Sequence, residues 1–194
     1  MKHAVIVAHP DPKSFTLSVA HAYCEAVKAK GHEPLLRDLY AMEFDPRLKA
    51  SEIPGHTGFA PADDIVAERA LLKDASVFAF VYPFWVNAPP AMLKGYIDRV
   101  FGLGFAYGPQ GSANQPLLTG RKMISFTSSG APTEWVEETG AWDAERAIFD
   151  KHLARLSGLD VLDHIHFGGI VPGIRADVVE RHLESVRTAV TKHF

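Results

Sequence analysis

The chain has one cysteine, Cys24, in 194 residues. That excludes an intramolecular disulfide framework and a thiolate metal cluster. Cys24 falls inside a helical pattern and reads as a buried structural thiol rather than a nucleophile. No apolar run approaches the roughly 20 residues needed to cross a bilayer, so no transmembrane segment is expected. The opening stretch, Met1 to Pro10, is too short in apolar residues and lacks a small-residue cleavage site, so no signal peptide is expected and a cytoplasmic protein is. Neither sign of charge dominates: the net charge is -3. A basic face for nucleic acid is therefore not expected, nor is the strongly acidic surface of a docking electron carrier. There is no G-x-G-x-x-G and no G-x-x-x-x-G-K-[ST], which removes the Rossmann fingerprint and the P-loop. The ten histidines show no H-E-x-x-H spacing, and no metal site is expected. His164 and His166 alternate on one strand without a third ligand, which suits a structural role.

What is present is ordinary for a globular chain: 47% hydrophobic and 22% charged residues, one domain over residues 1–194. Apolar runs at 4–8, 34–39, 76–82, 122–127 and 161–167 read as strands. Helical periodicity covers 14–30, 63–73, 90–101, 141–156 and 175–193. Strands alternate with helices, so the expected fold is an α/β three-layer sandwich, flavodoxin-like, on a five-stranded parallel sheet of order 2-1-3-4-5. Two stretches, 41–61 and 102–120, have no clean period and read as long excursions.

Three strand ends carry the chemistry. Ligands of open parallel sheets bind outside the carboxyl ends of the strands. After the first strand come His9, Ser14, Phe15 and Thr16, hydroxyls and amides at a helix N-terminus, where unpaired N–H groups attract a phosphate. Ser14 alone also reads as a plain N-cap. After the third strand, Pro83, Phe84, Trp85, Val86 and Asn87 offer aromatic walls and backbone donors to a flat heterocycle. After the fourth, Thr127, Ser128, Ser129 and Gly130 let backbone approach a ring edge closely. Phosphate loop and aromatic loop at neighbouring strand ends suit a flavin mononucleotide.

The same residues resemble the NAD(P)H:quinone oxidoreductase family of flavodoxin-like, DT-diaphorase-like flavoenzymes. The resemblance rests on Ala8-His9 with Ser14-Phe15, on Asp38-Leu39-Tyr40-Ala41-Met42 with Phe44-Asp45-Pro46, and on Asp64-Ile65-Val66-Ala67-Glu68. It continues in Pro90-Ala91-Met92-Leu93-Lys94-Gly95 with Arg99-Val100-Phe101, in Gly104-Phe105-Ala106-Tyr107, and more thinly from Leu118 to Gly130. It implies a tightly bound flavin, a ping-pong two-electron transfer of hydride from NADH or NADPH to a quinone-like acceptor, and a homodimer with shared sites. His9, Ser14, Phe15 and Thr16 fall on the family's flavin phosphate loop, Pro83 to Asn87 on its isoalloxazine loop, and Thr127 to Gly130 on its second flavin-edge loop. Ser129-Gly130 stands where the family often has paired glycines. Trp135 stands near a family tyrosine and is the one candidate catalytic side chain, although an indole donates without acting as an acid. No histidine lies between Gly130 and His152, so the family's Tyr–His support for reduced flavin has no counterpart there. Nor is there a counterpart of the vertebrate C-terminal extension, which puts FMN ahead of FAD. Phe105, Tyr107 and Trp135 are the expected acceptor-pocket walls. The competing readings are a regulatory flavoprotein subunit of a cation-efflux system and a non-enzymatic flavodoxin-type electron carrier.

Overall fold

The computed structural model describes residues 1–110 and 113–194. The strands are β1 (Lys2–Val7), β2 (Glu33–Asp38), β3 (Val77–Pro83), β4 (Tyr107–Gln110), β5 (Ala113–Pro116), β6 (Lys122–Ser128) and β7 (Asp160–Phe167). Five of them form an all-parallel sheet of order β2-β1-β3-β6-β7. This order differs from the expected 2-1-3-4-5. The 102–120 stretch, expected as an irregular connection, carries the antiparallel pair β4 and β5 as a separate ribbon. The sheet's last two members are therefore the sixth and seventh strands of the chain.

The helices are α1 (Phe15–Ala29), α2 (Asp63–Leu72), α3 (Ala91–Val100), α4 (Thr133–Glu138), α5 (Ala141–Glu145), α6 (His152–Ser157) and α7 (Ala176–His193). All seven residues of β3 are buried, as a central strand covered on both faces requires. Its side chains alternate between two cores. Val77, Ala79 and Val81 meet α1 and α7 through Leu17, Val27, Val186 and Val190. Phe78, Phe80 and Tyr82 meet α2, α3 and Phe149 through Ile65, Leu93, Tyr96 and Val100.

The helix expected over 141–156 is interrupted. A π-helical turn, Arg146–Lys151, separates α5 from α6. Each π-turn inserts one residue into the helical count. Within it Phe149 and Asp150 are both buried, while Ile148 is 71% exposed. The 41–61 excursion also has an internal role that its composition did not suggest. Its Glu52 pairs with buried Arg99 on α3 at 2.8 Å. Its Pro46 lies so close to α3 that a Cβ on Gly95 would stand 2.1 Å from the Pro46 carbonyl oxygen. Glycine at position 95 is what admits this segment against the helix.

His3, fully buried on β1, shares Nδ1 with the Tyr23 hydroxyl at 2.8 Å and Nε2 with His32 at 3.1 Å. Burial, and then the charge of His32, lowers its pKa from 6.5 to about 4. A depressed folded value means that the unfolded chain takes the proton first. The stabilisation is whole above pH 6.5 and is lost as pH falls through 4. Its full size is about 3 kcal/mol. Urea unfolding at neutral pH and near the folded pKa should show this loss in the wild type and a smaller one in His3→Gln. Equal losses in the two proteins would place the acid sensitivity elsewhere.

Candidate functional site

The carboxyl ends of β1, β3 and β6 are neighbours in the sheet, and the loops that follow them converge. Between them lies a cavity of about 140 Å³. His9, Ser14, Phe15 and Thr16 line it from the first loop, Pro83, Phe84 and Trp85 from the second, and Ser128, Ser129 and Gly130 from the third. Ile170, which carried no signal in the sequence, completes the wall from beyond β7.

The first loop is built for an anion. Ser14 caps α1, its Oγ accepting from the Leu17 N–H at 3.2 Å. The cap uses the oxygen and leaves the hydroxyl hydrogen to donate. The Phe15 and Thr16 N–H groups belong to the first turn, where a helix supplies no acceptor. Thr16 is 4% exposed and its hydroxyl has no partner among the described residues. His9 Nδ1 lies 3.0 Å from the Asp11 N–H and 3.3 Å from the Asp11 carbonyl oxygen, which folds the loop back on itself and leaves Nε2 free of that loop. The cap and the anion-binding readings of Ser14 are thus compatible: one oxygen serves both.

The second loop is a two-residue hairpin. Trp85 and Ala88 exchange N–H···O bonds of 3.2 Å, and Val86 and Asn87 between them have φ of 55° and 53°. Positive φ at both central residues is the type I′ turn. Asparagine tolerates it; a β-branched valine is strained there. Val86 is fully exposed. Strain of this kind is held at functional sites. The turn carries Val86 and Asn87 away from the cavity that Phe84 and Trp85 line. Asn87 instead borders a larger, mostly apolar cavity of about 520 Å³ together with Tyr107, Phe101 and Ile148.

The third loop departs from expectation in two details. The Ser129 N–H is already used by the Phe167 carbonyl at 3.0 Å, leaving the Gly130 N–H as the backbone donor of this loop. Thr127 is no wall of the cavity. Its hydroxyl lies 3.0 Å from both His164 Nε2 and His166 Nδ1, and His166 Nε2 lies 2.9 Å from Ser129 Oγ. The two histidines of β7 therefore face the site's floor, which their alternation on one strand signalled. Burial lowers His166 from 6.5 to about 4, with the charge of His164 second, and it stays neutral. Trp142 packs edge-on against His164 at 4.7 Å; nothing in the sequence pattern marked it.

Two expected pocket walls lie elsewhere. Phe105 is buried in the core of its own chain, edge-on to Phe101 at 5.6 Å, with the Arg69 guanidinium 5.9 Å above its ring. Trp135 sits on α4, half exposed and outside the cavity. No group of three or more potential metal ligands occurs among the described residues, and none of the described helices is long and apolar enough to cross a membrane.

The family model for the flavodoxin-like fold matches residues 1–190. An uncharacterized NAD(P)H oxidoreductase of Haemophilus influenzae is 30% identical over 171 residues, 88% of this chain and 85% of that protein. The NAD(P)H dehydrogenase [quinone] 1 of Rattus norvegicus is 27% identical, over 94% of this chain and 76% of its own. The solved NAD(P)H:quinone oxidoreductase of Methanothermobacter marburgensis superposes with a TM-score of 0.84 at 29% identity, covering 100% of this chain and 98% of that one.

Proposed function

This chain belongs to the flavodoxin-like family of NAD(P)H:quinone oxidoreductases, and on that premise we propose that it carries FMN at the three converging loops and reduces a quinone-like acceptor. The observation that supports the cofactor most directly is the set of unpaired donors at the head of α1: the Thr16 hydroxyl, the Ser14 hydroxyl hydrogen, and two first-turn N–H groups. A phosphate satisfies all of them. One such cradle, beside a cavity of about 140 Å³, suits a single phosphate and so favours FMN over FAD.

Each residue then has a physical task. Ser14, Thr16 and the N-terminus of α1 hold the phosphate. Phe84 and Trp85 supply apolar walls, and the Gly130 N–H donates to the polar edge of the ring, where negative charge develops. Flavin, when bound, supplies the two-electron chemistry by which a nicotinamide gives hydride and a quinone takes it. A single site walled in this way serves donor and acceptor in alternation, the basis of a ping-pong order.

A homodimer fits the larger cavity. Its apolar lining includes Ile97, Phe101, Leu153, Leu156 and the exposed Ile148. A second copy would cover this face and close the acceptor space beside Asn87 and Tyr107.

The test is a spectrum of the purified protein, with the flavin released and identified by chromatography. FMN is expected, with bleaching on addition of NADH or NADPH alone. A flavoprotein that bleaches only with a separate reductase would be an electron carrier. A protein that takes up neither FMN nor FAD on titration removes the functional reading.

A further inference from the structure

Glu145 is an acid that the fold buries but only half satisfies. It ends α5 and is 4% exposed. The hydroxyl of Tyr82, on the central strand, donates to its Oε1 at 2.7 Å. Its Oε2 has no partner among the described residues. No enclosed side-chain oxygen or nitrogen of the described residues lacks a partner, so Oε2 reaches open space. That space is the mostly apolar cavity of about 520 Å³, which Glu145 lines together with Asn87, Ala88 and Tyr107.

The charged groups around Glu145 come from four elements. Lys94 and Asp98 of α3, which also line the cavity, pair with each other at 2.6 Å. His152 of α6 lines it as well and is exposed. Arg146, next in the chain, is exposed, with its guanidinium 5.8 Å over the Trp142 ring. Asp150 and His164 of β7 pair at 2.7 Å. Burial raises the Glu145 carboxyl above its usual 4.5, and the charge of Asp150 acts in the same sense, against the Tyr82 bond and His164. The Tyr82 bond also fixes where a proton sits. The Tyr82 hydroxyl has no other acceptor among the described residues. It gives its one hydrogen to Oε1, so a protonated Glu145 carries its own on Oε2, the oxygen that faces the cavity.

We propose that Glu145 is the acid that binds one oxygen of a quinone in this cavity and gives it the proton that two-electron reduction requires. The proposal rests on the flavin-enzyme reading above, whose acceptor space lies beside Asn87 and Tyr107. A quinone is flat and apolar, and its two oxygens only accept hydrogen bonds. One buried donor on an apolar wall matches that chemistry. The reaction delivers a hydride, one hydrogen with two electrons, to one quinone oxygen. Negative charge then gathers on the opposite oxygen. That oxygen takes the proton from Oε2: the Glu145 O–H bond breaks and a hydroquinone O–H bond forms. Quinone, hydride and proton together make neutral hydroquinone, and no further reactant is needed. Glu145 is left as a carboxylate, held by the Tyr82 hydrogen bond. Solvent returns the proton once the product leaves the cavity.

Glu145→Gln is the discriminating variant. Its amide oxygen can accept from Tyr82 and its NH₂ can donate into the cavity, but it has no proton to give. Menadione, a plain naphthoquinone, and ferricyanide are the two acceptors. Ferricyanide takes electrons and no proton, so it reports every step except the acid. The flavin-loaded variant should lose about 100-fold in menadione turnover, the scale of a lost general acid. Its KM for menadione and its ferricyanide turnover should match the wild type. In the wild type, the ratio of menadione to ferricyanide turnover should fall as pH rises through the Glu145 pKa; in the variant it should be flat. Carboxyl ¹³C spectra of the flavin-free wild type, assigned with the variant, should show Glu145 titrating above 4.5. Equal losses with both acceptors, no loss with menadione, or a midpoint at or below 4.5 would overturn the proton donor. Should the variant fail to fold, the wild-type ratio decides, and a flat one overturns the proposal. A wild-type protein that reduces neither acceptor would instead remove the enzyme reading, and the proposal with it.

Discussion

Ser14→Asp should empty the flavin site and leave the fold as stable as before. Aspartate caps a helix as well as serine does, and its charge suits the N-terminal end of the helix dipole. The same carboxylate would stand against the phosphate. Two like charges about 4 Å apart repel by about 4 kcal/mol at an effective dielectric constant of 20, and the hydroxyl donor is gone as well. A fall in flavin affinity of about a thousandfold is the expected result. Ser14→Ala should behave in the opposite sense on both counts. It loses the bond to Leu17 and about 1 kcal/mol of stability with the cap, but adds no repulsion and keeps most of its flavin. Thermal melts of the flavin-free proteins, paired with fluorescence titrations of FMN, measure both axes. Equal flavin retention in the two variants would place the phosphate elsewhere.

Arg99→Met should cost about 3–5 kcal/mol, the range for removing one partner of a buried ion pair. The Arg99 side chain is fully buried. Its guanidinium reaches Glu52 at 2.8 and 2.9 Å, Asp64 at 2.8 and 3.0 Å, and the Asp45 carbonyl at 2.6 Å. Those bonds hold the Glu52 carboxyl down at about 2 from 4.5. The sign follows: a depressed acid stabilises the fold fully above pH 4.5, and the contribution is lost only as pH falls through 2. In Arg99→Met the Glu52 carboxylate keeps only its backbone donors, Lys49 and Ala62. Adding Glu52→Met should recover much of the loss, because an apolar pair replaces a buried charge left alone. Urea unfolding of the single and double variants decides this. A single variant within about 1 kcal/mol of wild type would mean that the pair behaves as a surface contact.

The parts of this protein legible in its sequence are those governed by local rules. Buried strands announced themselves as apolar runs, and the helix over 14–30 by its cap at Ser14 and its period. The three loops were readable because a sheet of this kind brings successive strand ends together. What escaped depends on contacts distant in sequence. Arg99 with Glu52 joins residues 47 apart, so the 41–61 segment looked like an excursion when it is pinned to α3. Phe105 looked like a pocket wall because an aromatic in a glycine-rich stretch gives no sign of which side it packs on. Thr127 and Ser128 are adjacent on β6, and strand alternation sends one to the histidines and the other to the cavity; their shared chemistry hid that division.

The π-turn at 146–151 sets a limit on chain length. Removing one residue there would restore a regular helix and turn everything beyond the deletion by about 100° relative to what precedes it. Asp150, bonded to His164 at 2.7 Å, would swing away from it. Substitutions in this stretch should therefore be tolerated side chain by side chain at exposed positions such as Ile148. A single-residue deletion should not be tolerated anywhere in it, although no residue deleted need touch the cavity. The spacing along the backbone is what keeps the Asp150 carboxylate against His164.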